Sequence, residues 1–201
     1  MTAYRNLLNA CLAAGAVAGL LLACTNTTLV RPVEPGTNLV ETPGHGLVFG
    51  RIAVIRDGED QLAAPPSSPK EFGWILMQAA SGKRYVASPL TENGPFALEL
   101  PGGSYEVIKL MYEERAGWWE GRLPASFSVK AGELVYLGTW EITFMNLGPG
   151  SRISGGVVNQ LKGASDDLKQ TYTGKLQPIT LGLMESALQG YFSLMRPRAE
   201  Q

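Results

Sequence analysis

The sequence predicts an all-β domain, a seven- to eight-stranded antiparallel β-sandwich, followed by a C-terminal α-helical extension. Three observations carry this. From Gly46 onward, short apolar runs are broken by Gly and Pro at the close spacing of an all-β chain. Several of those runs alternate apolar and polar residues, as half-buried strands do. Beyond Pro178 the period changes: Leu181, Met184, Leu188, Tyr191 and Met195 recur at spacings of 3, 4, 3 and 4, the pattern of an amphipathic helix.

Residues 1–23 come first. Arg5 is their only charged side chain, and Leu7–Ala23 is an uncharged, mostly apolar run. A short positive region, an apolar stretch and small residues before a cut describe a secretory signal peptide. Asn9 and two glycines make the run a poor retained membrane helix. It ends in Leu21-Leu22-Ala23-Cys24, which resembles the bacterial lipobox, although Leu22 is bulkier than usual there. The resemblance implies cleavage between Ala23 and Cys24, a diacylglycerol thioether on Cys24, and a third acyl chain on the new amine. Each buried methylene contributes about 0.8 kcal/mol and stable anchoring takes about two chains, so such a protein stays on its membrane. In enterobacterial lipoproteins an Asp after the cysteine signals inner-membrane retention. Thr25 stands here instead, which implies the outer membrane, facing the periplasm.

Removing residues 1–23 leaves 201 − 23 = 178 residues, one domain plus a tether. Loss of Arg5 reduces Lys plus Arg from 17 to 16 against 18 acidic residues, a net charge near −2. There is no basic stripe with interleaved aromatics, so nucleic acid is not an expected partner. Cys11 leaves with the signal peptide and Cys24 is the acylation site, so no intramolecular disulfide is expected. Residues 24–45 then read as the acylated Cys and a flexible tether, because Pro32, Pro35 and Pro43 among Thr and Asn suit neither helix nor strand. Its reach is about 70 Å fully extended, or about 25 Å as a coil. The apolar pairs Leu29-Val30 and Leu39-Val40 are placed to dock on the domain or on a partner.

The sandwich is expected over residues 46–160. Leu47–Arg56 is the first strand, ended by Asp57-Gly58 and a loop holding Pro65, Pro66 and Pro69. Trp74–Ala79 and Arg84–Ser88 form a hairpin about Ser81-Gly82, and Asn93-Gly94 is a further turn. Phe96, Leu98 and Leu100 alternate with Ala97 and Glu99, and Pro101-Gly102-Gly103 turns the chain. Tyr105–Glu114 is apolar on both faces for much of its length and reads as central. Phe127 and Val129 alternate with serines, and Lys130–Glu133 is a turn. Tyr136, Trp140, Ile142 and Phe144 are expected on one face, with Thr139, Glu141 and Thr143 on the other. The run Gly94–Tyr105, with Phe127–Gly132 and Tyr136-Leu137-Gly138, resembles carboxypeptidase regulatory-like and transthyretin-like domains. That resemblance implies a transthyretin-like (prealbumin-like) sandwich and leaves activity open, because such folds host unrelated roles.

Residues 161–201 are expected as a helical extension. Met145–Gly156 is a Gly-rich loop, Val157–Asn159 a short strand, and Ser165 the cap of a helix with Asp166 and Asp167 in its first turn. The second helix, over Leu181–Met195, packs on the sandwich or docks on a partner through Tyr191, Phe192 and Met195.

No catalytic constellation emerges. His45 is the only histidine, which removes the usual Ser-His and Cys-His arrangements, and structural zinc lacks ligands. A single histidine also departs from the urate-pathway hydrolases and intradiol dioxygenases that share the transthyretin-like fold. Gly44-His45-Gly46 precedes a strand where a nucleotide fingerprint follows one. Gly82-Lys83 and Gly174-Lys175 lack the earlier glycine of a phosphate loop. Ser67-Ser68-Pro69-Lys70 lies in a Pro-rich loop and not on a helix face. Asp57, Glu59 and Asp60 read as a solvated turn. Glu113-Glu114 and Asp166-Asp167 are adjacent acids that face apart. No cofactor, metal or enzymatic activity is expected.

Trp118-Trp119 is the sharpest surface candidate. Flanking Gly117 and Gly121 suggest a turn between strands, with one indole free for a partner or, with Tyr112, for stacking on a sugar. Burial under the C-terminal segment is the alternative. The expected function is a non-catalytic protein-binding or scaffolding lipoprotein of the cell envelope, contacting its partner through Trp118, Trp119, Tyr191 and Phe192. The alternative is a small-ligand or glycan-binding lipoprotein using Trp118 and Trp119.

Overall fold

Three large aromatic residues meet at the centre of the molecule. Trp74 packs edge-on against Phe96 at 5.3 Å and tilted against Trp140 at 5.8 Å between ring centroids. Tyr112 and Phe144 extend this layer at 5.5 Å. Each comes from a run whose apolar residues share one face, so the fold is mostly strand. The computed structural model describes residues 27–39, 42–56, 59–60, 72–90, 95–114, 117–144, 152–174 and 177–197. Ala23, Cys24 and the signal segment lie outside them, as do Asp57, the Ser67–Lys70 segment and Asn93-Gly94.

The strands are β1 (Thr27–Val30), β2 (His45–Arg56), β3 (Glu59–Asp60), β4 (Phe72–Gln78), β5 (Arg84–Leu90), β6 (Phe96–Pro101) and β7 (Gly103–Glu114). There follow β8 (Gly117–Arg122), β9 (Ala125–Val129), β10 (Leu134–Phe144) and β11 (Arg152–Val158). After helix α1 (Leu161–Thr171) come β12 (Ile179–Leu181), β13 (Glu185–Ser186) and β14 (Gln189–Pro197). They form one continuous sheet in the order β1-β5-β4-β7-β8-β14-β11-β10-β2-β3, with β6 beside β2, β9 beside β7, β12 beside β10 and β13 beside β9. The sheet folds over on itself. The β5-β4-β7 half and the β6-β2-β10 half enclose the main core, and β8-β14-β11 joins them. Tyr105–Glu114 is central: β7 pairs with β4, β8 and β9.

A second, smaller core lies on the outer face of the β6-β2-β10 half. Phe49, Ala97, Leu134 and Tyr136 are covered there by Leu168 and Tyr172. In α1, Leu161, Ala164 and Leu168 recur at spacings of 3 and 4 and face this layer. Asn159 Oδ1 accepts from the Leu161 N–H at 3.1 Å, and the Tyr136 hydroxyl accepts from the Gln160 N–H at 3.0 Å, satisfying backbone donors at the helix start.

Several expectations change. The helix begins at Leu161, so Ser165 is not its cap and no acid occupies its first turn. The Gly-rich stretch before Val157 belongs in part to β11. The helix expected over Leu181–Met195 is absent. That segment forms β12, β13 and β14, with β14 filling the gap between β8 and β11. Gly182 and Gly190 weaken a helix here, and a strand in this place pairs the edges of β8 and β11 that would otherwise stay open. Trp118-Trp119 is not a turn, because β8 is paired on both sides, with β7 and β14. The pairing is not purely antiparallel: β1–β5, β2–β10 and β10–β12 run parallel.

Tyr136 is out of phase with Trp140. A bulge between Tyr136 and Thr139 inserts one residue against β2, with Gly138 at φ +94°. One extra residue flips the side-chain alternation. Tyr136 therefore enters the second core while Leu137, Trp140, Ile142 and Phe144 enter the first. A Cβ on Gly50 would lie 2.5 Å from the Gly138 carbonyl oxygen, so the bulge also needs glycine opposite it.

Much of the tether is part of the domain. Thr27–Val30 adds β1 to the edge of β5. Residues 31–39 then cross to the outer face of the other half as a strap. Val33 N–H donates to Ala97 O at 2.8 Å, Gly36 N–H to Thr171 O at 2.7 Å, and Leu39 N–H to Thr173 O at 3.0 Å. Tyr172 donates to Val33 O at 3.0 Å. Prolines prevent regular structure but leave carbonyls and apolar side chains free to dock, and Val30 and Leu39 pack against the two cores.

Candidate functional site

Strand register builds the floor of a cleft. On the outer face, β2 places Leu47 opposite Glu99 of β6 and Leu134 of β10. One row inward, Phe49 lies between Ala97 and Tyr136, roofed by α1. One row outward, His45 pairs with Pro101. The strap passes over this face where α1 ends. The result is a cleft of about 280 Å³ between strap and sheet, with Val33, Leu39, Leu47 and Leu134 as apolar walls. Glu99, Glu133, His45, Thr37, Asn38 and Gln177 supply its polar lining.

The two carboxylates differ. Glu133 accepts from the Lys130 N–H at 3.2 Å and from Lys130 Nζ at 3.3 Å, so its charge is compensated beside it. Glu99 Oε1 is shielded from solvent and has no hydrogen-bond partner. His45 is half-buried, its Nδ1 3.3 Å from Pro43 O.

A second feature is apolar and open. Tyr191 pairs across strands with Arg152, which lies on the same face of β11 as Val158. Tyr191 is 50% exposed, Leu188 77% and Leu181 52%. The Gly155 N–H donates to Leu188 O at 3.2 Å, placing Leu188 beside the strand, whereas Leu183 borders Gly138 together with the Val157 side chain, which packs on the main core. Tyr191 of β14 and Leu188 just before it thus form a short exposed apolar stripe beside β11.

The sequence-predicted residues separate. Trp119 is only 6% exposed and belongs to the main core, under the strand pair with Met195. Tyr112 is fully buried against Phe144. Trp119 and Tyr112 therefore form no exposed stacking platform. Trp118 and Phe192 are backbone members of β8 and β14. Their side chains lie outside the described residues, as do those of Glu113 and Glu114. Asp166 and Asp167 are exposed on α1. Cys24 lies outside the described residues. Among the described residues no group of three or more His, Cys, Asp or Glu is placed to hold a metal, and no helix is long and apolar enough to cross a membrane.

Sequence reasoning missed the cleft. Alternation puts Glu99 on the face away from the main core, which reads as solvent until the strap and α1 cover it. The signal available was Val33 and Leu39, apolar residues in a segment otherwise suited to water. No protein-family model, curated protein or solved structure matches this chain.

Proposed function

We propose that this chain is a lipid-anchored, non-catalytic module of the bacterial envelope that binds a protein partner through the outer face of β11 and β14. The observation that supports it is the apolar stripe of Tyr191 and Leu188, with Tyr191 half exposed. An aromatic side chain held on a strand paired on both sides, as Tyr191 is, loses little conformational entropy on docking. The anchor is Cys24, acylated at the outer membrane, with the domain facing the periplasm. Only two residues separate Cys24 from Thr27, where β1 begins. That spans at most about 10 Å, so the anchor holds the β1–β5 edge close to the bilayer, and Leu29 on that edge is 56% exposed. The core is read as transthyretin-like, with β14 as an added strand. A stacking site built on Trp118 and Trp119 has less support, because Trp119 is in the core.

Photo-cross-linkers at Leu188 and Tyr191, used in intact cells, test this. One dominant envelope protein captured from both positions, and lost in Cys24→Ser, is the expected result. The same captures from the exposed α1 position Lys162, or none from either stripe position, refute it.

A further inference from the structure

Glu99 is the least satisfied charged group on the described surface of the second core. Its cross-strand neighbour is Leu47, followed by Leu134. Val33 and Leu39 of the strap line the same cleft. Glu99 makes no ion pair among the described residues, and its Oε1 is shielded from water without a donor. A carboxylate accepts hydrogen bonds and donates none, so only a donor satisfies it. Glu133 cannot compete for that donor on equal terms, because Lys130 already neutralises it. His45 is the only basic side chain among the described lining residues, and it stands one row outward of Glu99 on the sheet.

These observations set the chemistry of a ligand. It carries positive charge and N–H donors at one end, because a charge-assisted hydrogen bond is the strong kind available to a carboxylate. A single aliphatic stem suits the apolar walls. About 280 Å³ equals roughly nine water volumes, which suits a molecule of about ten non-hydrogen atoms and excludes a folded partner. A guanidinium fork uses both carboxylate oxygens side by side, whereas Glu99 keeps one oxygen against the protein, which favours a compact ammonium. We infer that the cleft between the strap and the β6-β2-β10 face binds a small primary aliphatic amine, its ammonium on Glu99 and its alkyl stem between Val33, Leu39, Leu47 and Leu134. This site is separate from the β11–β14 stripe and stands whether or not the stripe binds a protein.

Calorimetric titration of the full chain with n-hexylammonium, 1-hexanol and hexanoate tests it. Hexylammonium is expected to bind about tenfold or more tighter than hexanol, and hexanoate not at all. Glu99→Gln is expected to bring hexylammonium down to the hexanol value and leave hexanol unchanged. Hexyltrimethylammonium keeps the charge and lacks N–H donors, so it should bind several-fold more weakly than hexylammonium to the unaltered chain. This last comparison decides the matter even where Glu99→Gln fails to fold. Equal binding of hexylammonium and hexanol, or no heat with hexylammonium, overturns the inference. Tighter binding of Nα-acetyl-lysine amide than of hexylammonium also overturns it, by pointing to a protein lysine as the occupant.

Discussion

Shortening Leu168 to alanine tests whether α1 and the strap belong to the folded domain. Leu168 is fully buried and is the one buried residue of α1, set against Phe49, Ala97, Leu134 and Tyr136. The substitution removes three carbons, each contributing about 0.8 kcal/mol of transfer free energy. The cavity adds to this, because strand backbones on one side and a helix on the other cannot collapse into it. The loss should be about 3 kcal/mol, inside the usual range of about 2–5 kcal/mol for buried leucines. For a domain of this size, that lowers the melting temperature by about 6–12 °C. Urea titration followed by circular dichroism reads the free energy, and native-state trypsin cleavage at Lys162 and Lys169 reads opening of α1. Val33 packs on the same cluster from the strap. Val33→Ala combined with Leu168→Ala should therefore depart from additivity by about 0.5 kcal/mol or more. A loss under about 1 kcal/mol for Leu168→Ala, with no added cleavage, would refute a packed second core.

Trp119→Ala should destabilise the whole sandwich by about 3–5 kcal/mol, visible as a lower urea midpoint; an unchanged midpoint would show that Trp119 is a surface residue after all. Gly138→Ala should cost more than about 1 kcal/mol, because φ is +94° and its Cβ would lie 2.5 Å from Val157 Cγ1; a neutral effect would remove the bulge from the account. Alkaline titration should find Tyr105 and Tyr172 ionising late. Burial raises the Tyr105 pKa, the neighbouring Tyr85 raises it further, and the Gln78 hydrogen bond opposes both. Burial raises that of Tyr172. Unfolded tyrosines ionise near pH 10, so the unfolded chain releases protons first. This part of the stability is complete below about pH 10 and is lost as the pH rises through the folded values. Phenolate absorbance at 295 nm from all the tyrosines that rises with a single midpoint near pH 10, with the fold intact, would contradict this.

Alternation in Phe96–Leu100, Phe127–Val129 and Trp140–Phe144 identified strands whose inward residues are in the main core. Tyr105 is another legible feature: it follows the Pro101-Gly102-Gly103 turn and donates back to Pro101 O at 2.5 Å. The C-terminal segment was not legible. Spacings of 3 and 4 among Leu181, Met184 and Leu188 fit a helix, yet in the fold Met184 is buried while Leu181 and Leu188 are exposed. Neither was the cleft, whose walls come from residues far apart in the chain, Val33, Glu99 and Leu134 among them.

By itself, the sequence determined where the cleanly alternating strands form, Phe96–Leu100 and Phe127–Val129 among them, and which of their residues share a face, because a two-residue period is local physics. It also set the expectation of an anchor at Cys24, which is a matter of chain chemistry and not of folding. Only the tertiary structure decided which faces are covered. Gly138 shifted Tyr136 to the outer layer, α1 covered that layer, β14 took the open edges of β8 and β11, and the strap roofed Glu99. Each of these depends on pairing between distant segments, and the free energy of such pairing is settled by which edges and apolar faces are left without a partner once the rest has folded.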